Sequence, residues 1–260
     1  MIGIAVLALV LAYAWRAYVD GKNPGNGQGS NVGANGQAEA FDGEGRYEMP
    51  AGDGFSESLC QKDPAAIPAY AGEDYATLNG GMPSFNLYDL KNVTGENYSE
   101  LDALGRCGAA VAMLDKSMMP TEKREEIGEI KPTGWVQKKY EGIVNSKPPY
   151  LYNRCHLIAF ALTGQNANER NLITGTRHFN ADAMLPWEIK VMECMESGQN
   201  HVLYRVTPCF QGEELVARGV EMEAYSVEDY GRSVCFHVFV YNVQPGIEID
   251  YATGESKLEE

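Results

Sequence analysis

The sequence is short of positive charge. It carries 21 Lys and Arg against 36 Asp and Glu, a formal net charge of −15 over 260 residues. That balance excludes a protein that coats nucleic acid by bulk electrostatics, because neutralisation of phosphates by Lys and Arg dominates such binding. Its six cysteines (Cys60, Cys107, Cys155, Cys194, Cys209, Cys235) include no C-x-x-C pair, which argues against a structural zinc site. An even count permits disulfides but does not choose among fifteen full pairings, and buried free thiols remain an equal alternative. No helix-turn-helix, zinc-finger or RNA-binding signature is present, so any nucleic-acid contact falls mainly on the sugar-phosphate backbone. Internal repeats are absent, and there are only four histidines.

What is present begins with an apolar run of fourteen residues, Ile2 to Trp15, interrupted by Arg16 before Ala17, Tyr18 and Val19. It is short for a membrane span of about 20 residues and suits the core of a signal peptide. Residues 1–20 are therefore expected to be a cleaved signal or a membrane anchor, giving a secreted or membrane-anchored extracellular protein. Residues 21–54 hold ten glycines with almost nothing large and apolar between them. Burial there cannot offset the entropy of ordering, and a flexible linker over 21–55 is expected. The remainder, 56–260, is long enough for one substantial core.

The stretch Tyr150 to Glu188 concentrates Arg154, His156, Asn171, Asn180 and Glu188 in a segment otherwise rich in Leu, Ile, Ala and Phe. Buried polar groups need partners or a task. An imidazole such as that of His156 takes a proton near neutral pH. The amide oxygen of Asn180 is a hard neutral ligand of the kind Mg²⁺ accepts while keeping most of its waters. Arg154, two residues before His156, projects to the same face of a strand and offers a planar fork to phosphate. Glu188 lies about 80° around a regular helix from Asn180, placed to order metal-bound water. Asn171 is assigned to fixing the loop or the metal shell, and Arg177 to substrate contact. Singly, each has a plainer role: core histidine, N-cap, surface ion pair or solvated face. Cys155 is set aside as a nucleophile, since neighbours on a strand face opposite ways. His178, His201 and His237 are read as structural.

The order Asn153-Arg154-Cys155-His156, then Asn168 and Asn171, then Asn180 and Glu188, resembles the DNA/RNA non-specific endonucleases of the ββα-metal superfamily. It is similar especially to the secreted and membrane-anchored nucleases of Gram-positive bacteria. Two positions depart from the family tetrad: Asn153 stands where Asp is usual and Cys155 where Gly is usual. The resemblance implies an α+β fold with a mainly antiparallel sheet, packed helices and a ββα-metal finger within about 134–197. It further implies a Mg²⁺-dependent, sequence-nonspecific endonuclease, with Mn²⁺ as substitute, acting on DNA and/or RNA and leaving 5′-phosphate ends. In that scheme His156 is the general base and Asn180 holds the metal. A tethered DNA-binding or uptake module without catalysis, and a secreted toxin domain, are the alternatives.

Patterning adds local expectations. Ser84–Leu90 reads as a strand, Leu101–Met119 as a helix ended by Pro120, and Trp135–Tyr140, Tyr150–His156 and Leu172–Thr176 as strands. A helix opens at Asn180 with Met184, Trp187, Val191, Cys194 and Met195 as its apolar stripe. Val202–Thr207 and the segment from Leu215 to Tyr225 form a hairpin, followed by a strand at Val234–Val243 and an acidic tail. Between Lys131 and Lys190 eight Lys or Arg face four Asp or Glu, a local +4 that leaves −19 elsewhere. Such a strip can steer a polyanion to one groove.

Overall fold

The computed structural model describes residues 46–260. The expected export segment, 1–20, and the linker as far as residue 45 lie outside the described residues. Among the described residues no helix is long and apolar enough to cross a membrane. In chain order the regular elements are α1 (Leu59–Lys62), β1 (Tyr75–Thr77), α2 (Leu87–Asn92), β2 (Glu96–Tyr98), β3 (Ala110–Leu114), β4 (Tyr152–His156) and α3 (Phe160–Thr163). There follow β5 (Leu172–Thr176), α4 (Leu185–Ser197), β6 (Val202–Cys209), β7 (Gly219–Ser226), β8 (Cys235–Tyr241), β9 (Ile247–Ile249) and β10 (Ser256–Leu258). The fold is α+β.

One six-stranded antiparallel sheet, in the order β1-β8-β7-β6-β3-β2, carries the molecule. Alternation gives its two faces different chemistry. Tyr204 and Val206 of β6, Val220, Met222 and Ala224 of β7, and Val238 and Val240 of β8 share one face, where Trp187, Val191, Cys194 and Met195 of α4 pack against them. On the other face Arg205, Glu223 and His237 stand in one row across three strands. That face is covered by the chain before α2: Met49 and Phe85 pack on Leu203 and Tyr225, and Cys60 and Leu78 on Cys209 and Phe239. The packing already includes Tyr47, whose N–H bonds the Tyr230 carbonyl at 2.9 Å, inside the stretch expected to be linker.

Several local expectations are corrected. The expected strand at Ser84–Leu90 contains instead the start of α2, because the Asn86 side chain caps the N–H groups of Tyr88 and Asp89 while Asp89 reaches back to the Asn86 N–H. That capping box outweighs the alternating pattern. The expected helix at Leu101–Met119 is a turn followed by β3. Gly105 takes a left-handed φ of 78°, and a Cβ at Gly108 would lie 2.7 Å from the Ser99 Cβ. Ala110, Ala112 and Leu114 then face the core between β2 and β6. Trp135–Tyr140 is irregular apart from a single bridge between Lys139 and Tyr150. The acidic tail forms the small β9–β10 hairpin.

Candidate active site

β4 and β5 pair antiparallel as a separate two-stranded sheet, and the helical segment that opens right after β5 brings a third wall. His156 ends β4. Asn171 sits just before β5, fully buried, and holds the backbone beyond His156 at both ends of its amide. Its Oδ1 accepts from the Ile158 N–H at 2.8 Å, and its Nδ2 donates to the Ile158 carbonyl at 3.0 Å.

The His156 ring is 6% exposed. Its Nε2 lies 2.9 Å from the Asn166 carbonyl, an acceptor only, so the network assigns the proton to Nε2. Nδ1 then keeps its lone pair and accepts from Arg124, at 3.3 Å. Burial, with help from the Arg124 charge, lowers the His156 pKa to about 4. The ring is therefore neutral across the physiological range, its Nδ1 lone pair unprotonated.

Arg124 was not legible in the sequence. It lies in the exposed loop after Pro120, in a run of mixed charges without a motif. The loop is held in place from the site side: Arg154 donates through Nε to the Ile130 carbonyl and through a terminal nitrogen to the Gly128 carbonyl at 2.6 Å. Its guanidinium also lies over the Trp135 ring, 4.4 Å from the centroid. Asn166 Nδ2 donates to the Glu125 carbonyl at 3.1 Å. Arg154 thus shares the face of His156, as expected, but much of its donor fork is engaged with the loop.

Asn180 lies in the first turns after β5, in a π-turn over Phe179–Ala183 closed by the Met184 N–H on the Phe179 carbonyl at 2.9 Å. Pro186 explains the irregularity: it cannot donate to the Asp182 carbonyl and its ring crowds that position. The extra residue changes the phase of the helix. In an otherwise regular helix, a spacing of eight across one inserted residue is equivalent to seven, which would set two residues about 20° apart instead of about 80°. The Asn180 amide makes no hydrogen bond to another described residue, and neither does the Glu188 carboxylate. Burial raises the Glu188 pKa to about 7, against the pull of the Arg124 charge. The Tyr204 hydroxyl, whose ionisation is further suppressed by Glu188, is buried without a partner. An amide oxygen without a partner, a carboxylate desolvated by burial and an orphaned hydroxyl that feels that carboxylate are a donor set of the kind a hard, hydrated divalent cation takes. Arg177 opens the same helical segment, and its charge, like those of Glu188 and Arg124, acts on Cys155.

The two departures from the family tetrad differ in consequence. Cys155 is fully buried, its thiol pushed up by burial, which disposes of a nucleophilic role. Room for its sulfur comes from Gly175, where a Cβ would lie 2.3 Å from the Cys155 Sγ. Asn153 pairs with Gly175 in the β4–β5 register.

The model of the DNA/RNA non-specific endonuclease family matches residues 88–228. The chain belongs to this family. Among solved structures, NucA from Streptococcus agalactiae with a magnesium ion bound is 26% identical, with a TM-score of 0.64 over 75% of this chain and 91% of that one. The Sda1 nuclease with a bound zinc ion is 25% identical, with a TM-score of 0.58 over 78% of this chain and 100% of that one. This family member is thus an endonuclease with a nucleic-acid substrate, and relatives in the same fold bind metal ions.

A second group of acids, Glu221, Glu223 and His237, lies on the opposite sheet face, with ligand atoms close enough to hold a cation. Every carboxylate oxygen there already has a donor. Glu221 accepts from the N–H groups of Leu59 and Cys60 and from His237, and Glu223 from Ser84 and Arg205. His237 donates its other N–H to the Met82 carbonyl at 2.9 Å. With acceptors on both nitrogens the ring is an imidazolium, held charged by the two glutamates although burial opposes it. The cluster clamps residues 56–84 to the sheet, and His237 is structural, as expected.

Glu188 provides a prediction that separates stability from activity. Its folded pKa lies above its unfolded one, so its contribution to stability is present below about pH 4.5 and is lost as pH rises through about 7. In chelator at pH 8, Glu188→Gln should be about 1–3 kcal/mol more stable than wild type, with a smaller difference at pH 5. Urea unfolding at the two pH values measures it; cleavage should fall in the same variant.

Proposed function

We propose that this endonuclease is a Mg²⁺-dependent phosphodiester hydrolase in which His156 Nδ1 is the general base. The carrying observation is the polarity of the His156 ring, its Nε2–H donated to the Asn166 carbonyl and its Nδ1 lone pair left toward Arg124. Mg²⁺ held through Asn180 and, by way of its waters, Glu188 would supply positive charge at the scissile phosphate and the leaving 3′-oxygen, and Mn²⁺ could take its place. His156 takes the proton of the attacking water, and the Asn166 carbonyl stabilises the resulting imidazolium. Arg124 passes from Nδ1 to a phosphate oxygen when substrate enters, which frees the lone pair. Arg177 adds charge for the phosphate, and Arg154 holds the loop that carries Arg124. Asn171 fixes the backbone beyond His156.

Recognition runs along the backbone and is shared by DNA and RNA, since positive charge is modest even in the 131–190 strip: Lys138 pairs with Glu255 and Arg170 with Glu100, each at 2.6 Å. The apolar run at Ile2–Trp15 and the Gly-rich segment after it support an exported enzyme, either released or tethered to a membrane through 1–20, with its catalytic domain beyond the linker.

The test is digestion of a covalently closed plasmid and of RNA in Mg²⁺, followed by analysis of the new ends. Both should be cut, and each cut should leave a 5′-phosphate on one end and a 3′-hydroxyl on the other. Cyclic phosphate ends on RNA, with closed DNA left intact, would mean attack by the 2′-hydroxyl and would end the water-activation account.

A further inference from the structure

Beyond the catalytic site, the segment clamped by Glu221 holds two thiols together. The N–H groups of Leu59 and Cys60 at the start of α1 donate to the two oxygens of Glu221, at 2.9 and 2.7 Å. Glu221 pairs with Thr207 on β6, and the next pair on the same face is Cys209 with Gly219. Cys60 therefore descends onto the sheet beside Cys209. Both are buried, at 7% and 2% exposure, in one cluster with Leu78, Phe239 and Tyr241, and each thiol acts on the other's ionisation. Cys107 donates to the carbonyls of Glu169 and Leu172, and Cys155 packs on Gly175.

We infer that Cys60 and Cys209 are a disulfide-forming pair, which an oxidising compartment closes into a covalent staple between the segment before α2 and the central sheet. The oxidant is a small-molecule or protein disulfide. The Cys209 thiolate attacks one sulfur of that disulfide and expels the other half as a thiol. The Cys60 sulfur then displaces the remaining half from the mixed disulfide. The two protein sulfurs lose two electrons, the oxidant gains them, and the two thiol protons leave on its two halves. Cys209 is the better first nucleophile because its neighbour Cys60 favours its ionised form, whereas burial pushes the Cys60 thiol up. With both sulfurs enclosed, closure accompanies docking of the segment during folding. The staple ties residues that precede the family match at 88 to a strand within it.

The experiment is thiol counting on the full chain refolded with oxidised glutathione, then denatured and alkylated without reductant. Of the six cysteines, two should resist alkylation, and a peptide map should join Cys60 to Cys209. Reductant should lower the Tm of the oxidised protein by about 5–15 °C, while Cys209→Ser, which carries no such link, should show no reductant-dependent shift. A folded, oxidant-treated wild type in which all six cysteines alkylate would overturn the inference. So would a link between other cysteines, or stoichiometric zinc whose removal by chelator exposes the pair.

Discussion

His156→Ala should lower kcat on plasmid DNA about 10²- to 10⁴-fold, the range associated with loss of a positioned general base. The KM should move far less, because the ring is 6% exposed and contacts Arg124 and the Asn166 carbonyl through its two nitrogens. Single-turnover cleavage separates the chemical step from binding. A second readout guards against mere misfolding. The folded pKa of His156, about 4, lies below its ordinary value of 6.5. Its stabilising contribution is thus complete above pH 6.5 and is lost as pH falls through about 4. The alanine variant should lose less stability than wild type on acidification across that window. A variant that still cuts within threefold of wild type, with this change in its acid unfolding, would remove His156 from the chemistry.

The largest effect on stability should come from Asn171→Ala. Both ends of the Asn171 amide bond the backbone of the fully buried Ile158. Truncation leaves one buried N–H and one buried carbonyl unpaired, at about 1–3 kcal/mol each, for a loss of roughly 2–5 kcal/mol. Urea unfolding measures it. Because the peptide held by Asn171 follows the base almost directly, residual activity at a temperature where the variant remains folded should fall as well. Asn171→Asp keeps the acceptor for the Ile158 N–H but not the donor, and should lie between the two. Equal stability of wild type and Asn171→Ala would mean that solvent replaces both bonds.

Legibility in the sequence followed the range of the interactions. The strand at Leu172–Thr176, the apolar stripe of α4 and the β6–β7 hairpin rest on local periodicity, and each forms as read. The order of Arg154, His156, Asn171, Asn180 and Glu188 suffices to expect the β4–β5 hairpin and the helix after it. Ser84–Leu90 misled because Asn86 and Asp89 make a reciprocal cap that alternation does not display. Leu101–Met119 misled because its apolar residues satisfy a helical spacing, while Gly105, Gly108 and pairing with two strands decide for β3. Arg124 contacts His156 from 32 residues away through a loop held by carbonyls, which no side-chain pattern encodes. The π-turn was partly visible in retrospect: Pro186, six residues after Asn180, cannot continue a regular ladder. The Glu221–His237 pair lies too far apart in sequence, and in too plain a strand pattern, to announce the network with Arg205 and Glu223.

Asn180 and Glu188 are proposed to complete a metal-dependent centre with the neutral His156. Its most direct test is single-turnover plasmid cleavage as Mg²⁺ is titrated into chelator-treated wild type and Asn180→Ala. Without metal there should be no cutting, and wild type should show saturable activation. In the variant the half-saturating Mg²⁺ should rise by about tenfold or more, or saturation should be lost. Cleavage that persists in chelator, or superimposable Mg²⁺ titrations for the two proteins, would contradict it.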